Sequence, residues 1–411
     1  MRKCDVVVIG AGPSGSLAAS VLQQKGWEVT MLEKQRFPRF VIGESLLPRC
    51  MESLEEAGLM NVVEKLGFQK KVGARFYKDG EICDFDFSQQ FTEGWSWTWQ
   101  APRSELDMAL AEEVASRGVN LEYEATVTHI DFGAEKQAVY YTDDAGKEEV
   151  IECKFVIDGS GYGRVVPRML GLDKPSDLAP RMAVFGHVKY DAIHEYDKRI
   201  DIVTVTDKIW AWLIPFSDGR ASVGFVGVIE AFDHLKDLSD KESLLKLIAS
   251  SAYIAPKLGD VEFTMEAKKI SAYSSAVSRF HGEGFVLTGN STEFLDPIFS
   301  SGVTFAMESG VLAAKLLDRQ LGGEAVDWDT EYVAYIQRGV DTFRSYVKGW
   351  YDGSLPKIFF SPSSLQQFKD QICSVLAGYV WDESNPFVKK HSRILTTLSK
   401  VLDIQMDKPE E

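Results

Sequence analysis

The chain has 411 residues, an apolar content of 45%, a charged content of 26% and a formal charge of −16. This length exceeds what one hydrophobic core usually supports, so we expect two or three domains. The acidic balance, without a dense cluster of lysine and arginine, argues against nucleic acid as a partner, because binding phosphates requires clustered cations.

The five cysteines and six histidines show no metal-ligand spacing. The cysteines are scattered and form no C-x-x-C pair, so we expect reduced, mostly buried thiols and no metal site. At Cys50 we expect a buried structural thiol, with a reactive thiol as the alternative. No stretch resembles a signal peptide or reaches the length of a membrane span, which predicts a cytoplasmic protein with no integral membrane segment.

The first thirty-four residues carry the clearest motif. Residues 5–9 are an apolar strand that runs into Gly10-Ala11-Gly12-Pro13-Ser14-Gly15, followed by a helix over 16–25 and a second strand over 27–32. This is the G-x-G-x-x-G pattern in the context that dinucleotide binding requires, with phosphates at the helix N-terminus and an acid on the ribose. The predicted binding residues here are Gly10, Gly12, Pro13, Ser14, Gly15, Glu33 and Lys34.

The next segments alternate between loops, helices and strands. Residues 37–48 are a loop rich in turn formers, a helix is predicted over 49–57, and strands flank a hairpin turn at 79–80. Residues 91–100 are predicted to form a strand with Trp95, Trp97 and Trp99 on one face. A helix follows over 103–117, and a meander of strands over 119–157 ends at Asp158 and Gly159.

The second half begins with strands and ends with helices. Strands are predicted over 182–188, 200–206, 209–214, 221–228 and 261–267, with one helix at 241–250. A buried strand over 285–290 leads to a loop at 295–302 and to an apolar helix over 303–317. Residues 327–411 are predicted to be mostly helical, with a disordered tail at 407–411.

Three separated segments are suited to one ligand: the N-terminal motif, residues 158–161, and residues 289–302 with the helix that follows. A nicotinamide dehydrogenase has no need of a late element that returns to the first domain. FAD does need one, because its isoalloxazine ring lies far from its adenosine. The positive end of the late helix would stabilise the anionic reduced ring. We therefore predict FAD as the cofactor.

Two shorter motifs narrow the interpretation. Residues 210–215 match W-x-W-x-I-P, and residues 294–302 match F-x-x-P-x-x-S-x-G. Together with the Gly43-Glu44-Ser45 loop, they resemble the flavin-dependent halogenases of the p-hydroxybenzoate hydroxylase-like FAD monooxygenase superfamily, over most of residues 1–350. The chain departs from that family at Asn290, where an Asp is usual, and at Ser300, where tryptophan halogenases carry Glu.

The resemblance implies an α/β fold with three parts. A Rossmann-like FAD-binding domain would comprise residues 1–75, 101–172 and 271–320. An antiparallel β-sheet substrate domain would comprise 76–100 and 173–270, followed by a helical C-terminal region over 321–411. It also extends the predicted FAD contacts to Gly43, Glu44, Ser45, Arg103, Asp158, Gly159, Gly289, Asn290, Asp296, Pro297, Ser300, Gly302 and Val303.

The resemblance also implies a chemistry. Reduced flavin and oxygen would oxidise chloride or bromide, held by the backbone at Ser301 and Gly302, to hypohalous acid. Lys71, whose neighbour Lys70 is the alternative, would direct the halogen onto an electron-rich arene. Trp210 and Trp212 would keep that arene away from the flavin. The chain has no second G-x-G-x-x-G, so FADH2 would come from a separate flavin reductase.

The implied substrate is a phenolic or pyrrolic compound, free or tethered to a carrier protein. Residues 389–393 offer a basic patch for an acidic carrier, although a solvated helix end explains them as well. Two other functions stay open. One is a FAD-dependent hydroxylase, dehydrogenase or reductase of the same fold, which would reduce its own flavin with NAD(P)H. The other is a non-catalytic flavoprotein with relic motifs, which Asn290 favours.

Overall fold

The computed structural model describes residues 2–190 and 198–406, with the side chains of 362–367, 405 and 406 left aside. The tail at 407–411, predicted to be disordered, lies outside these residues.

The described strands are β1 (Arg2–Lys3), β2 (Val6–Ile9), β3 (Val29–Leu32), β4 (Gln69–Lys71), β5 (Gly73–Lys78), β6 (Glu81–Asp86), β7 (Thr98–Gln100), β8 (Asn120–Glu122), β9 (Thr126–Phe132), β10 (Gln137–Thr142), β11 (Glu148–Cys153), β12 (Phe155–Asp158), β13 (Asp173–Lys174), β14 (Arg181–Lys189), β15 (Arg199–Thr206), β16 (Ile209–Pro215), β17 (Arg220–Val228), β18 (Phe263–Ser271), β19 (Ala276–Val277), β20 (His281–Gly282) and β21 (Phe285–Leu287).

The described helices are α1 (Pro13–Gln24), α2 (Arg49–Glu56), α3 (Met60–Glu64), α4 (Arg103–Ser116), α5 (Val165–Met169), α6 (Asp240–Ser250), α7 (Ala255–Leu258), α8 (Ser301–Leu321), α9 (Ala334–Tyr351), α10 (Ser354–Phe359), α11 (Pro362–Leu376), α12 (Pro386–Lys389) and α13 (His391–Met406). None of the helices in this part of the chain has both the length and the hydropathy that crossing a membrane requires.

The predicted α/β fold is confirmed. Six strands form a sheet in the order β20-β21-β12-β2-β3-β8, and every neighbouring pair is parallel except β20 with β21. The strand β2 is Val-Val-Val-Ile and is buried on both faces, as expected where helices cover a parallel sheet. The carboxyl ends of β2, β3 and β12 therefore meet at one edge, where ligands bind in such sheets.

A second, larger sheet shares no strand with the first. It has seven strands in the order β18-β14-β17-β16-β15-β5-β6, antiparallel except for β15 beside β5. Trp210 and Trp212 lie two residues apart on β16, so their side chains share one face of this sheet. From residue 301 to residue 406 the chain is helical apart from short connections, and the predicted helical C-terminal region is confirmed.

The prediction of a strand over residues 91–100 is wrong for its first seven residues. Only Thr98–Gln100 is a strand, paired with β4. The backbone N–H of Phe91 donates to the Asp370 carbonyl at 3.1 Å, and that of Thr92 donates to Ser374 Oγ at 2.8 Å. Helix α11 thus provides the partners that a neighbouring strand would otherwise supply.

The tryptophans of this segment nevertheless contact one another in sequence order. The ring centroids of Trp95 and Trp97 are 5.4 Å apart and those of Trp97 and Trp99 are 5.2 Å apart, both edge to face. The Lys70 ammonium lies 4.2 Å from the centroid of a Trp97 ring. The spacing of two residues was therefore informative about contact, although not about secondary structure.

Gly15 is fixed by close packing of helix α1 on the turn before it. A Cβ added at Gly15 would lie 1.9 Å from the carbonyl oxygen of Gly10, whereas one added at Gly12 would meet nothing nearer than 3.6 Å. Gly12 also has a φ of −77°, which any residue adopts. The two glycines of one motif therefore differ sharply in whether they can accept a side chain.

We expect Gly15→Ala to lower the free energy of unfolding by about 2 kcal/mol or more, because overpacking against backbone cannot relax by a side-chain rotation. Gly12→Ala is the matched control and should leave the free energy of unfolding within about 0.5 kcal/mol of the parent. Urea unfolding of the three apoproteins, followed by circular dichroism, measures both. Equal loss in the two variants would contradict this account of Gly15.

Candidate active site

One cavity lies at the carboxyl edge of the parallel sheet and extends to the tryptophan-bearing face of the larger sheet. It brings together most of the residues singled out from the sequence. Those that line it are Gly10, Gly12, Pro13, Ser14, Glu33, Lys34, Gly43, Glu44, Ser45, Arg103, Gly159, Trp210, Trp212, Gly289, Asn290, Pro297, Ser300, Gly302 and Val303. Five others do not line it: Gly15, Lys71, Asp158, Asp296 and Ser301.

The glycine-rich turn opens one end of the cavity. Gly10 has a φ of +91°, and a Cβ there would lie 2.7 Å from the Gly159 carbonyl oxygen. Helix α1 begins at Pro13 without a side-chain cap. Its first N–H groups and its positive end are therefore free of a capping side chain, which suits a phosphate.

Glu33 supports this turn directly. Its Oε2 accepts from the backbone N–H of Ala11 and its Oε1 from that of Gln35, both at 3.0 Å. The side chain is 4% exposed and lines the cavity at the end of β3. The acid that was predicted to bind a ribose therefore also holds the shape of the glycine-rich loop.

Two arginines share one buried carboxylate beside the turn. Arg103 Nε donates to Asp107 Oδ1 at 2.7 Å, and Arg39 Nη1 donates to Asp107 Oδ2 at 3.0 Å. Both arginines line the cavity, and Asp107 is fully buried. Arg39 Nη2 also lies 3.4 Å from Glu33 Oε2, so two guanidinium groups and two carboxylates meet near Gly12. The guanidinium N–H groups are the donors that a diphosphate requires.

Asp158 acts behind the cavity wall. Its Oδ1 accepts from the Ser160 backbone N–H at 2.9 Å and from Ser291 Oγ at 3.0 Å, and its Oδ2 accepts from the Val166 N–H at 2.8 Å. Because both oxygens are engaged and the residue is fully buried, Asp158 organises the turn after β12 and the start of α5.

Helix α8 presents a second uncapped N-terminus to the cavity. Ser300 precedes it with a φ of +57° and makes no side-chain cap bond. Gly302 lines the cavity, while Ser301 is buried at 3% exposure. The Oδ1 atom of Asn290 lies 4.0 Å from where a Cβ on Gly302 would stand. Asn290 thus faces the first turn of α8.

The two tryptophans of the W-x-W motif line the apolar side of the same cavity. Trp212 Nε1 donates to Ser222 Oγ at 3.0 Å, and a Cβ on Gly224 would lie 2.2 Å from the Trp212 ring. Trp210 Nε1 donates to Tyr351 Oη at 2.8 Å, and Tyr351 Oη donates to Asp296 Oδ2 at 3.0 Å. Tyr351 therefore joins the two sequence motifs through its hydroxyl.

Asp296 is fully enclosed by this arrangement. Burial raises the pKa of its carboxyl to about 6, against the opposing effect of the nearby Arg181 guanidinium and of the hydrogen bonds from Ile298 N–H and Tyr351. The Arg181 guanidinium itself lies 3.4 Å from the centroid of the Tyr351 ring. The loop before α8 is thus held by buried polar contacts.

Lys71 is buried behind the loop over residues 43–46. Its side chain is 1% exposed, and Nζ donates to the Leu46 carbonyl oxygen at 2.7 Å. Burial lowers the pKa of its amine to about 7. Within the described part of the chain it forms no ion pair with a carboxylate. It does not line the cavity, but Ser45, the neighbour of Leu46, does.

The cysteines and acids give no sign of a metal centre. Among the residues that the structure describes, no group of three or more His, Cys, Asp and Glu side chains is placed to hold a metal ion. Cys50 is fully buried with its Sγ 3.3 Å from Thr304 Oγ1, and burial raises the pKa of its thiol. Both observations support the structural interpretation of Cys50.

Comparison with known proteins identifies the family. The chain matches the FAD binding domain family over residues 3–332. It is 29% identical over 341 residues to a 1H-pyrrole-2-carbonyl-(peptidyl-carrier protein) brominase of Pseudoalteromonas luteoviolacea, covering 81% of each chain. It is 30% identical over 348 residues to a flavin-dependent halogenase of Armillaria mellea, covering 79% of this chain and 67% of that one.

A solved structure is more similar still. The crystal structure of a flavoprotein/dehydrogenase from Cytophaga hutchinsonii is 51% identical, with a TM-score of 0.97 over 99% of this chain and 100% of that chain. The chain belongs to the FAD-binding flavin-dependent halogenase family. It is an enzyme of the flavin-dependent oxidoreductase type.

The residues that line the cavity fit FAD. The uncapped start of α1, the open side of Gly12 and the Arg39–Arg103 pair would hold the diphosphate, and Glu33 would hold the ribose. The uncapped start of α8 lies beside the part of the cavity that is floored by Trp210 and Trp212. The start of α8 and the tryptophans of the larger sheet would therefore border the flavin ring of bound FAD.

Several residues of the flavoprotein site escaped prediction. Arg39 stands in a loop that was recognised only for its turn formers, although a cation near a phosphate-binding motif was a usable signal. Asp107 lies within the helix that begins at Arg103, and no sequence motif marked it as a site residue. Tyr351 is one aromatic residue in a helix rich in them, and only the fold shows that its hydroxyl reaches the site.

The hydroxyl of Tyr351 should contribute to stability through its two hydrogen bonds. We expect Tyr351→Phe to lower the free energy of unfolding by about 1–3 kcal/mol, because the N–H of Trp210 and an oxygen of Asp296 lose their partner. Tyr346→Phe is the matched control, since the buried Tyr346 hydroxyl makes no hydrogen bond to any residue that the structure describes. Denaturant unfolding of both variants tests this. A Tyr346→Phe loss as large as that of Tyr351→Phe would contradict it.

The buried amine predicts a pH-dependent stability difference. Between a folded-state pKa of about 7 and the ordinary value of 10.5, the unfolded chain carries a proton on Lys71 that the folded chain lacks. Lys71 therefore makes the fold more stable as pH rises through this window. Lys71→Met removes this dependence, so the stability of Lys71→Met relative to the parent should fall by roughly 3–4 kcal/mol between pH 7 and pH 10.

Urea unfolding of the parent and Lys71→Met at about pH 7, 8 and 9 measures the difference, in which the other titrating groups cancel. Lys70→Met, on the exposed side of the same strand, serves as the control. A Lys71→Met difference that does not change with pH would show that the amine keeps its ordinary protonation.

Proposed function

We propose that this flavoprotein is a FAD-dependent halogenase that uses FADH2, oxygen and chloride or bromide to halogenate an electron-rich aromatic compound. One observation carries the proposal: the W-x-W tryptophans and the start of α8 line the same cavity, and Tyr351 links Trp210 to Asp296 in the loop before α8. The known relatives support it, because the brominase of Pseudoalteromonas luteoviolacea and the halogenase of Armillaria mellea share this chain's fold family.

Each part of the site has a role in this proposal. Bound reduced flavin supplies the capacity to turn oxygen into an oxidant of halide. The backbone N–H groups at Ser301 and Gly302, at the positive end of α8, bind the halide. Trp210 and Trp212 occupy the floor of the cavity and keep the arene from direct contact with the flavin ring.

Lys71 transfers or directs the halogen. A buried amine with a pKa of about 7 is partly neutral near neutral pH, which makes its nitrogen nucleophilic. Its protonated fraction can donate a hydrogen bond to hypohalous acid. The Leu46 carbonyl fixes the nitrogen one residue from Ser45 in the cavity wall, so the amine lies close to the cavity without opening into it.

The proposed substrate class is phenolic or pyrrolic. Ser300 offers no carboxylate, which argues against free tryptophan. The relative from Pseudoalteromonas luteoviolacea is named for a pyrrole tethered to a carrier protein, which makes a carrier-bound substrate a candidate here. A flavin reductase would be the second partner, since FADH2 must be supplied.

We expect the purified protein, supplied with FADH2, oxygen and bromide, to halogenate reactive phenols or pyrroles. Lys71→Ala should lower product formation at least 100-fold, because the group that directs the halogen is gone, while bromide-dependent oxidation of a thiol trap remains. Lys70→Ala, one residue away and exposed, is the matched control and should retain activity. Mass spectrometry of the products gives both results.

The absence of product from wild-type protein over a panel of phenols and pyrroles would contradict the proposal. So would full activity of Lys71→Ala, which would assign halogen transfer to another group.

A second function has its own support. The flavoprotein/dehydrogenase from Cytophaga hutchinsonii is 51% identical, a higher identity than that of the halogenases named above. A dehydrogenase or hydroxylase of this fold would reduce its own flavin with NAD(P)H. Anaerobic mixing of the FAD-bound protein with NADPH decides between the two: bleaching of the flavin within seconds without a reductase favours the second function, and a stable spectrum favours the halogenase.

A further inference from the structure

Glu44 and His187 form a buried pair at the wall of the cavity. His187 Nε2 lies 2.5 Å from Glu44 Oε1, and the two side chains are 6% and 0% exposed. Glu44 comes from the loop between β3 and α2, and His187 comes from β14 in the larger sheet. The pair therefore connects the loop that borders the predicted flavin site to the sheet that carries the tryptophans.

The second oxygen of Glu44 has no partner. Glu44 Oε2 is buried and makes no hydrogen bond in the described part of the chain, and the hydroxyl of Ser45 is in the same condition. Both residues line the cavity. A buried carboxylate oxygen without a donor is costly, so native structures rarely leave one unless a ligand or water completes it.

Arg103 is the cation that interacts with Glu44, and its hydrogen bonds go elsewhere. Arg103 gives its hydrogen bonds to Asp107 and to the carbonyls of Ile42 and Gly43. Two rings flank His187: the centroids of Phe40 and Phe216 lie 5.6 Å and 5.4 Å from that of its imidazole. Glu44 also lines the cavity, so a molecule bound there is placed to provide the missing donor.

The pair lies where an aromatic ligand would meet the cavity wall. Phe40 stacks on Phe185 at 5.9 Å, and Phe185 lies 6.1 Å from Trp212. On the other side, a Cβ on Gly43 would lie 3.7 Å from Val303 in the first turn of α8. Glu44 thus stands between an aromatic surface and the helix start that is predicted to face the flavin.

We propose that Glu44 is the acceptor for an O–H or N–H donor of the molecule that fills this part of the cavity, and that His187 is the residue that positions it. The donor is either the hydroxyl of a phenolic substrate or a donor group of the flavin itself. His187 holds Oε1, which leaves Oε2 as the acceptor. The assignment of the donor to a phenolic substrate rests on the proposed function, whereas the role of Glu44 as an acceptor does not.

Binding measurements without turnover test the proposal. The FAD-bound protein is titrated with phenol and with anisole, which lacks the hydroxyl hydrogen, and the flavin difference spectrum is followed. FAD affinity is measured separately by flavin fluorescence on the apoprotein. The variants are Glu44→Gln, whose amide nitrogen can donate where the carboxylate accepted, and His187→Gln. His129→Gln is the control, because His129 pairs with Asp131 in the same way but on the exposed surface.

If the substrate is the donor, wild-type protein should bind phenol at least tenfold more tightly than anisole, and both site variants should reduce that ratio towards one. If the flavin is the donor, FAD affinity should fall at least tenfold in both site variants, with a phenol-to-anisole ratio near one throughout. Either result supports the acceptor, and His129→Gln should behave as wild type in each.

Folded Glu44→Gln that binds FAD, phenol and anisole as wild type would overturn the proposal. If neither site variant folds, measurements on wild-type protein still test the proposal. Equal affinities for phenol and anisole, together with equal affinities for FAD and its N3-methyl analogue, would overturn it. Failure of the halogenation assay alone would leave these binding results intact, so the two proposals can fail independently.

Discussion

The close approach of helices α1 and α8 is the constraint on which the site depends. A Cβ added at Gly310 would lie 2.4 Å from the Ser14 carbonyl oxygen, so the two backbones touch without a side chain between them. Ser14 Oγ also donates to Thr288 Oγ1 at 2.7 Å. This contact carries the segment from Gly289 to Gly302 across to the N-terminal turn, although the two are nearly three hundred residues apart.

That contact explains why both helix starts open into one cavity. Helix α1 begins beside the turn after β2, and α8 runs against it with its own first turn next to Asn290. Because neither helix has a side-chain cap, each exposes unpaired N–H groups and a positive end to the same space. A ligand with negative charge at two separated places, as reduced FAD has, would compensate both.

Much of the fold could be read from the sequence because its signals are local. The valine run of β2, the glycines after it and the acid at Glu33 all belong to one continuous segment, so a short window predicts their arrangement. The alternating strands of the larger sheet were predicted for the same reason. The strand prediction failed over residues 91–97, where the backbone N–H groups of Phe91 and Thr92 donate to α11. No local pattern reports a hydrogen bond to a helix so distant in sequence.

The polar contacts that complete the site could not be predicted from the sequence, for a related reason. The resemblance pointed to Lys71 and Glu44 as site residues and gave no role to Tyr351, but the sequence predicted a contact partner for none of the three. Their environments arise from pairings between different elements: Lys71 with the loop at Leu46, Glu44 with His187 on β14, and Tyr351 with Trp210. Such pairs have no fixed spacing, so only the packed structure shows that they are buried.

Burial also decides what these groups can do. An exposed lysine would remain an ammonium at neutral pH, whereas the enclosure of Lys71 brings the pKa of its amine to about 7 and makes both protonation states available. The same enclosure requires that Lys71 keep one hydrogen bond, to Leu46, and meet no carboxylate that would restore its charge. The loop over residues 43–46 achieves this by presenting its carbonyl to Lys71 and its side chains, Glu44 and Ser45, to the cavity. One short loop thus lies between a buried amine and the cavity and contacts both.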